Sequence, residues 1–139
     1  MNINLQSTWI GGKSGKGEVK SDNFSATVTI PSVYGGQGTD SNPKELFVAS
    51  TATCFISTLT AMIEGKKLDI VSLSVDTEAN AGDEDFSITH TANVVLPQGA
   101  SESDIAKAET LVASADKICT VGNLARKAGV KIDAIANIS

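Results

Sequence analysis

The stretch Asn42–Gly65, NPKELFVASTATCFISTLTAMIEG, decides the fold. From Leu46 to Ile63 it runs 18 residues without a charge, bracketed by Glu45 and Glu64. Six of those positions are Ser or Thr, which favours a core helix over a membrane span. Ser41 or Asn42 is placed to cap it, and Pro43 suits its first turn. Small residues at Ala49, Ser50, Ala52, Thr53 and Ser57 allow close backbone approach. A helix apolar nearly all round needs more cover than one sheet face gives. A second helix and a second subunit together supply it, so burial alone predicts a homodimer. At its centre stands Cys54, one of two cysteines in the chain.

Around this helix the pattern reads strands, helix, strands, helix, strand. Ile3, Leu5, Ser7 and Trp9 alternate with polar residues as a half-buried strand. GGKSGKG is a turn, and Phe24 to Ile30 is a strand stopped by Pro31. GGQGTDSNP is a Gly-rich loop that leads into the long helix. Val71, Leu73 and Val75 mark the next strand. Phe86, Ile88, His90, Ala92, Val94 and Leu96 share one face of a longer one. Ser101 or Ser103 opens a second helix whose apolar stripe is Ile105, Ala108, Val112, Ala115 and Cys119. Thr120 starts a short further helix, and Val130 to Ile138 closes as a strand. The expectation is one α+β domain, 1–139, with helices packed on one side of a largely antiparallel sheet.

Composition narrows the function classes. The 139 residues carry 41% hydrophobic and 19% charged side chains, enough for a real core. The net charge of −5 argues against a nucleic-acid or anionic-membrane surface. The N-terminus shows no signal-peptide pattern, so a reducing cytoplasm is expected. There, two cysteines are free thiols or a working redox pair more readily than a structural disulfide.

Several motifs fail. GKS at Gly12–Ser14 lacks the Gly that a phosphate loop needs five positions earlier, where Ser7 stands. GGQGTD lacks the last glycine of a dinucleotide fingerprint, because position 41 is Ser. One histidine and two distant cysteines make a poor zinc site, and no metal or cofactor is expected. His90, on an apolar strand face, reads as a core histidine with a satisfied hydrogen bond.

Cys54 and Cys119 remain. On spacing alone, two buried inert thiols are the simpler reading. The alternative is a peroxidatic and a resolving thiol, which requires a lowered thiol pKa and substrate access. Cys119 precedes a helix start that suits this purpose. Cys54, in mid-helix, would draw on a cation such as Lys13 or Lys16.

Three segments carry a resemblance. GTDSNPKELFVASTATCF (38–55), ICTVGNLARKAGVKIDA (118–134) and GGKSGKGEVKSDN (11–23) resemble, in the same order, the cysteine-bearing and N-terminal segments of the OsmC/Ohr family. These are the osmotically inducible protein C and organic hydroperoxide resistance proteins. The resemblance implies an OsmC/Ohr-like fold, with antiparallel sheets wrapped around a long central helix in an intertwined homodimer. It also implies thiol-dependent reduction of organic hydroperoxides in oxidative or osmotic stress. Cys54 is then the peroxidatic thiol and Cys119 the resolving one. The family's activating arginine falls on Lys13. Its carboxylate partner falls on Lys44, with Glu45 one residue along as the remaining carboxylate. A lysine supplies a point charge but not a bidentate fork. Arg126 matches a family arginine and reads as structural. Leu46, Phe47 and Phe55 are expected to line an apolar substrate pocket. An external dithiol would reduce the disulfide, and the resemblance points to lipoyl groups. The other reading is a non-peroxidase OsmC-like stress protein binding a small apolar ligand. A third is a plain structural dimer with inert thiols.

Overall fold

A computed structural model describes all residues, Met1 to Ser139. Contacts gather the chain into two compact units, Met1–Phe47 and Val48–Ser139.

The first unit holds β1 (Gln6–Ile10), β2 (Lys16–Lys20) and β3 (Ser25–Val28). They form an antiparallel sheet in the order β1-β2-β3. β2 is the strand that sequence reasoning missed. Its KGEVK pattern looks like turn because the inward position is a glycine. Gly17 stands opposite Trp9, and a Cβ there would collide with the indole ring. The hairpin therefore gives up a side chain so that Trp9 can lie over the β2 backbone. β1 is exposed along its length, not half-buried as expected, and it begins only at Gln6.

After β3 the chain passes through a single 3₁₀ turn at Ser32–Tyr34 and reaches α1 (Pro43–Gly65). Asn42 caps that helix: its Oδ1 accepts from the Glu45 amide at 3.0 Å. Pro43 occupies the first helical position, where a missing amide costs nothing.

The second unit contains β4 (Ser72–Ala81), β5 (Phe86–Val95), α2 (Glu102–Ile118), α3 (Thr120–Lys127) and β6 (Lys131–Ile138). β5 is central, antiparallel to β4 and parallel to β6. Three of the four strand pairings are antiparallel, as expected, and β6 adds one parallel pair. The chain leaves β5, crosses through two helices and returns alongside it, the long connection that a parallel pair requires. The helices pack on the face that carries Ala92, Val94 and Leu96, as the alternation in β5 predicts. α2 opens with a full capping box between Ser101 and Asp104. Its buried stripe is Ala108, Leu111, Val112 and Ala115, continued by Cys119, while Ile105 is exposed.

α1 enters this core by one stripe only. Thr51, Phe55, Leu59 and Ile63, four residues apart, are buried, and Phe55 and Leu59 are fully so. By length and composition α1 could cross a membrane, yet that stripe belongs to a packed core shared with α2 and β5. Thr53, Ser57, Thr60 and Ala61 are exposed. Within a single chain, then, α1 is not the all-round buried helix that its composition suggests.

Candidate functional site

Cys54 and Cys119 meet. Cys54 is half-buried on α1, and Cys119 is buried at the junction where α2 ends and α3 begins. Both are free thiols packed into the same apolar cluster. The backbone explains why the junction lies there. Cys119 is extended, with φ −61° and ψ 108°, so it closes α2 and serves as the N-cap of α3. The first α3 turn closes through the Asn123 amide donating to the Cys119 carbonyl at 2.9 Å. The amides before it have no partner within the helix. Cys119 brings no side-chain oxygen to cap them.

Two of those amides, Thr120 and Val121, face the Cys54 sulfur. Burial works against a Cys54 thiolate, but hydrogen bonds outweigh it. The donors are the Cys119 thiol, the Val121 amide, the Thr58 hydroxyl and the Thr120 amide, and the net shift is downward. Thr58 lies one helical turn beyond Cys54, on the same face of α1. Cys119 moves the other way. Burial pushes its pKa up, and donating to Cys54 pushes it further, to about 11, with the Gly122 amide acting in the opposite sense. The contact thus favours the thiolate at Cys54 and the thiol at Cys119. The helix N-terminus that sequence reasoning assigned to Cys119 acts on Cys54 as well, and there it prevails over burial.

Gly122 leaves room beside Cys119. A Cβ at that position would stand 3.3 Å from the Cys119 sulfur and 3.6 Å from its Cβ. α3 is further held by Arg126. Its guanidinium donates to both Asp116 carboxylate oxygens at 2.7 and 2.8 Å, and to the carbonyls of Asp116 and Ile132. The structural reading of Arg126 agrees with these bonds.

His90 is the core histidine expected. It is buried, shares a 2.8 Å hydrogen bond with Thr77, and stacks on Phe55 with ring centroids 5.0 Å apart. Burial pushes its pKa down, opposed by Asp116 and assisted by Arg126. That stack corrects one expectation: Phe55 is 0% exposed and offers no surface to a substrate. It is a core residue pointing away from the exposed side of α1.

The other named residues lie in the Met1–Phe47 unit. Lys13 stands in the β1–β2 turn, and its stem runs against Gly35. Lys16 pairs with Asp40 at 3.5 Å across an exposed surface, a contact of little energy. Glu45 is exposed in the first turn of α1. Phe47 is 38% exposed. Leu46 lines an apolar cavity of about 310 Å³ with Trp9, Val19, Val28, Ile30 and Pro43.

A mixed α+β fold with two cysteines meeting at a helix N-terminus defines a class of thiol proteins, and comparison gives the family. The model of the OsmC-like protein family matches residues 36–134. A Bacillus subtilis protein named "Uncharacterized protein YmaD" is 33% identical over 122 residues, covering 84% of this chain and 81% of its own. The organic hydroperoxide resistance protein of Xanthomonas axonopodis pv. citri is 30% identical over 86% of this chain and 84% of its own. The crystal structure of an organic hydroperoxide resistance protein from Elizabethkingia anophelis superposes with a TM-score of 0.75. It is 24% identical and covers 100% of this chain and 99% of that one. The chain belongs to the OsmC-like family and has the OsmC/Ohr fold.

Proposed function

We propose that the protein is a thiol-dependent peroxidase that reduces organic hydroperoxides, with Cys54 as the attacking thiol and Cys119 as the resolving one. The observation that carries this reading is the meeting of two free thiols, Cys54 on α1 and Cys119 at the junction where α3 begins. The Cys54 thiolate attacks the outer oxygen of ROOH. The O–O bond breaks, Cys54 becomes a sulfenic acid, and the alkoxide leaves as ROH with a proton from the medium. Cys119 then gives up its proton and attacks the Cys54 sulfur. A disulfide forms and hydroxide departs, which with that proton makes water. An external dithiol, of which a lipoyl group is the proposed form, restores both thiols.

The helix amides and Thr58 do for Cys54 what a nearby arginine does elsewhere, so this reading does not require a guanidinium in place of Lys13. Lys13 and Glu45 remain proposed as catalytic charged groups. The exposed small-residue side of α1 supports a homodimer as the working form. The named hydroperoxide resistance relatives support an organic substrate over hydrogen peroxide. The test is steady-state consumption of an aryl hydroperoxide with a dithiol as reductant. Turnover abolished in Cys54→Ser supports the assignment, and equal rates in Cys54→Ser and wild type would refute it.

The apolar cavity beside Leu46 favours a second reading, in which the protein binds a small apolar ligand without peroxidase chemistry. Trp9, the only tryptophan, lines it, so a saturable change in intrinsic fluorescence on adding an apolar ligand reports occupancy. That result in a protein whose thiols survive peroxide selects this reading.

A further inference from the structure

The Arg126 cluster does more than staple the fold. α3 has eight residues, two turns, and a helix that short is not stable by itself. Its direction must come from tertiary contacts. Its buried residues are only Gly122 and Ala125, which bring a single methyl group and little grip. The polar contacts supply the rest. Arg126 Nη1 donates to the Asp116 carbonyl at 3.1 Å and to Asn123 Oδ1 at 3.0 Å. Its Nη2 donates to both Asp116 carboxylate oxygens and to the Ile132 carbonyl at 2.9 Å. Asn123 Nδ2 donates to the Lys117 carbonyl at 2.8 Å. These bonds link the last turn of α2, the body of α3 and the start of β6. Between the two tied helices lies a single residue, Cys119. Both partners of the ion pair are mostly shielded, with 29% and 20% side-chain exposure, so the charge-assisted bonds from Nη2 are held with modest solvent competition.

We propose that the Arg126–Asp116 pair is a positioning element of the thiol site: it fixes the axis of α3 so that the Thr120 and Val121 amides point at the Cys54 sulfur. Neither residue touches the reacting atoms, and both act through α3. The inference rests on Cys54 being the reacting thiol, but its test reads thiol acidity and not peroxide turnover, so the two claims fail separately.

The experiment is peptide-resolved iodoacetamide labelling of the reduced full chain against pH, with the Cys54 and Cys119 peptides followed by mass spectrometry. Arg126→Met frees α3. The midpoint of Cys54 labelling is expected to rise by about one pH unit, which slows labelling at neutral pH by about tenfold. Asp116→Asn separates positioning from charge. Removing a negative charge near the thiols would, through charge alone, lower the Cys54 midpoint. Loosening the clamp raises it, and a rise is expected. Far-UV circular dichroism and thermal melting identify which variants are folded, and Asp116→Asn decides alone if Arg126→Met is not. A folded Asp116→Asn protein whose Cys54 midpoint is unmoved or lowered overturns the proposal.

Discussion

The thiol of Cys119 donates a hydrogen bond to Cys54, and the two sulfurs are shifted in opposite directions by the contact. The division of labour follows from position. Cys54 lies half-buried within reach of free helix amides, whereas Cys119 lies in the apolar cluster with Asp116 nearby. A thiolate is favoured at the first place and disfavoured at the second.

Stability of the reduced protein therefore varies with pH in two opposed steps. Cys54 has a lowered folded pKa, so its contribution is present above the unfolded thiol value and is lost as pH falls through the folded one. Cys119 has a raised folded pKa. Its contribution is full below the unfolded value and disappears as pH rises toward about 11. Urea unfolding of reduced wild type and Cys119→Ser across pH 7 to 11 isolates the second step. The difference between the two proteins is expected to shrink as pH climbs through that window, and a constant difference contradicts the assignment.

Gly122→Ala tests the space beside Cys119. The added methyl meets the sulfur at 3.3 Å, so the thiol must move by a few tenths of an ångström. Overpacking costs roughly 1–3 kcal/mol, while replacing a helical glycine with alanine returns about 1 kcal/mol. The net loss in stability is expected to be about 1 kcal/mol, and chemical denaturation measures it. The larger effect falls on the disulfide step: after one equivalent of hydroperoxide, the sulfenic acid at Cys54 is expected to persist longer than in wild type.

Phe55 is a core residue, and its substitution separates stability from substrate choice. Phe55→Ala is expected to cost about 3–5 kcal/mol, by emptying a fully buried site and removing the ring that stacks on His90. Phe55→Leu, which retains most of the volume, is expected to leave the preference among hydroperoxides unchanged in a competition assay. A changed preference would return Phe55 to the substrate pocket.

Thr77→Val removes the hydrogen-bond partner of a buried imidazole nitrogen. Leaving that atom unpaired costs about 1–3 kcal/mol. Urea denaturation near neutral pH is the check, and a change below about 0.5 kcal/mol would mean that the bond carries no stability.

Much of this arrangement was legible in the chain. The uncharged run of α1 with its cap before Pro43, the alternation of β5 and the Ser101 cap each appear because local chemistry and tertiary role agree. The pairing of Cys54 with Cys119 came from resemblance, since their spacing alone does not bring them together. What stayed hidden depended on contacts between distant segments. β2 shows no apolar alternation, because Gly17 stands where Trp9 needs room. The parallel placement of β6 is a property of the crossover and not of its residues. Phe55 and Cys54 are adjacent in sequence, yet about 100° of helical rotation sends one into the core and leaves the other half-buried. The amides that act on Cys54 belong to α3, and only the packing of the two helices could reveal which cysteine they serve.

The central claim is that Cys54 attacks and Cys119 resolves. The most direct measurement reduces the protein, adds one equivalent of an aryl hydroperoxide, and maps the product by mass spectrometry within seconds. A Cys54–Cys119 disulfide in wild type, a Cys54 sulfenic acid in Cys119→Ser and no oxidation in Cys54→Ser are the predicted results. Thiols that survive intact for many minutes in wild type would contradict the account.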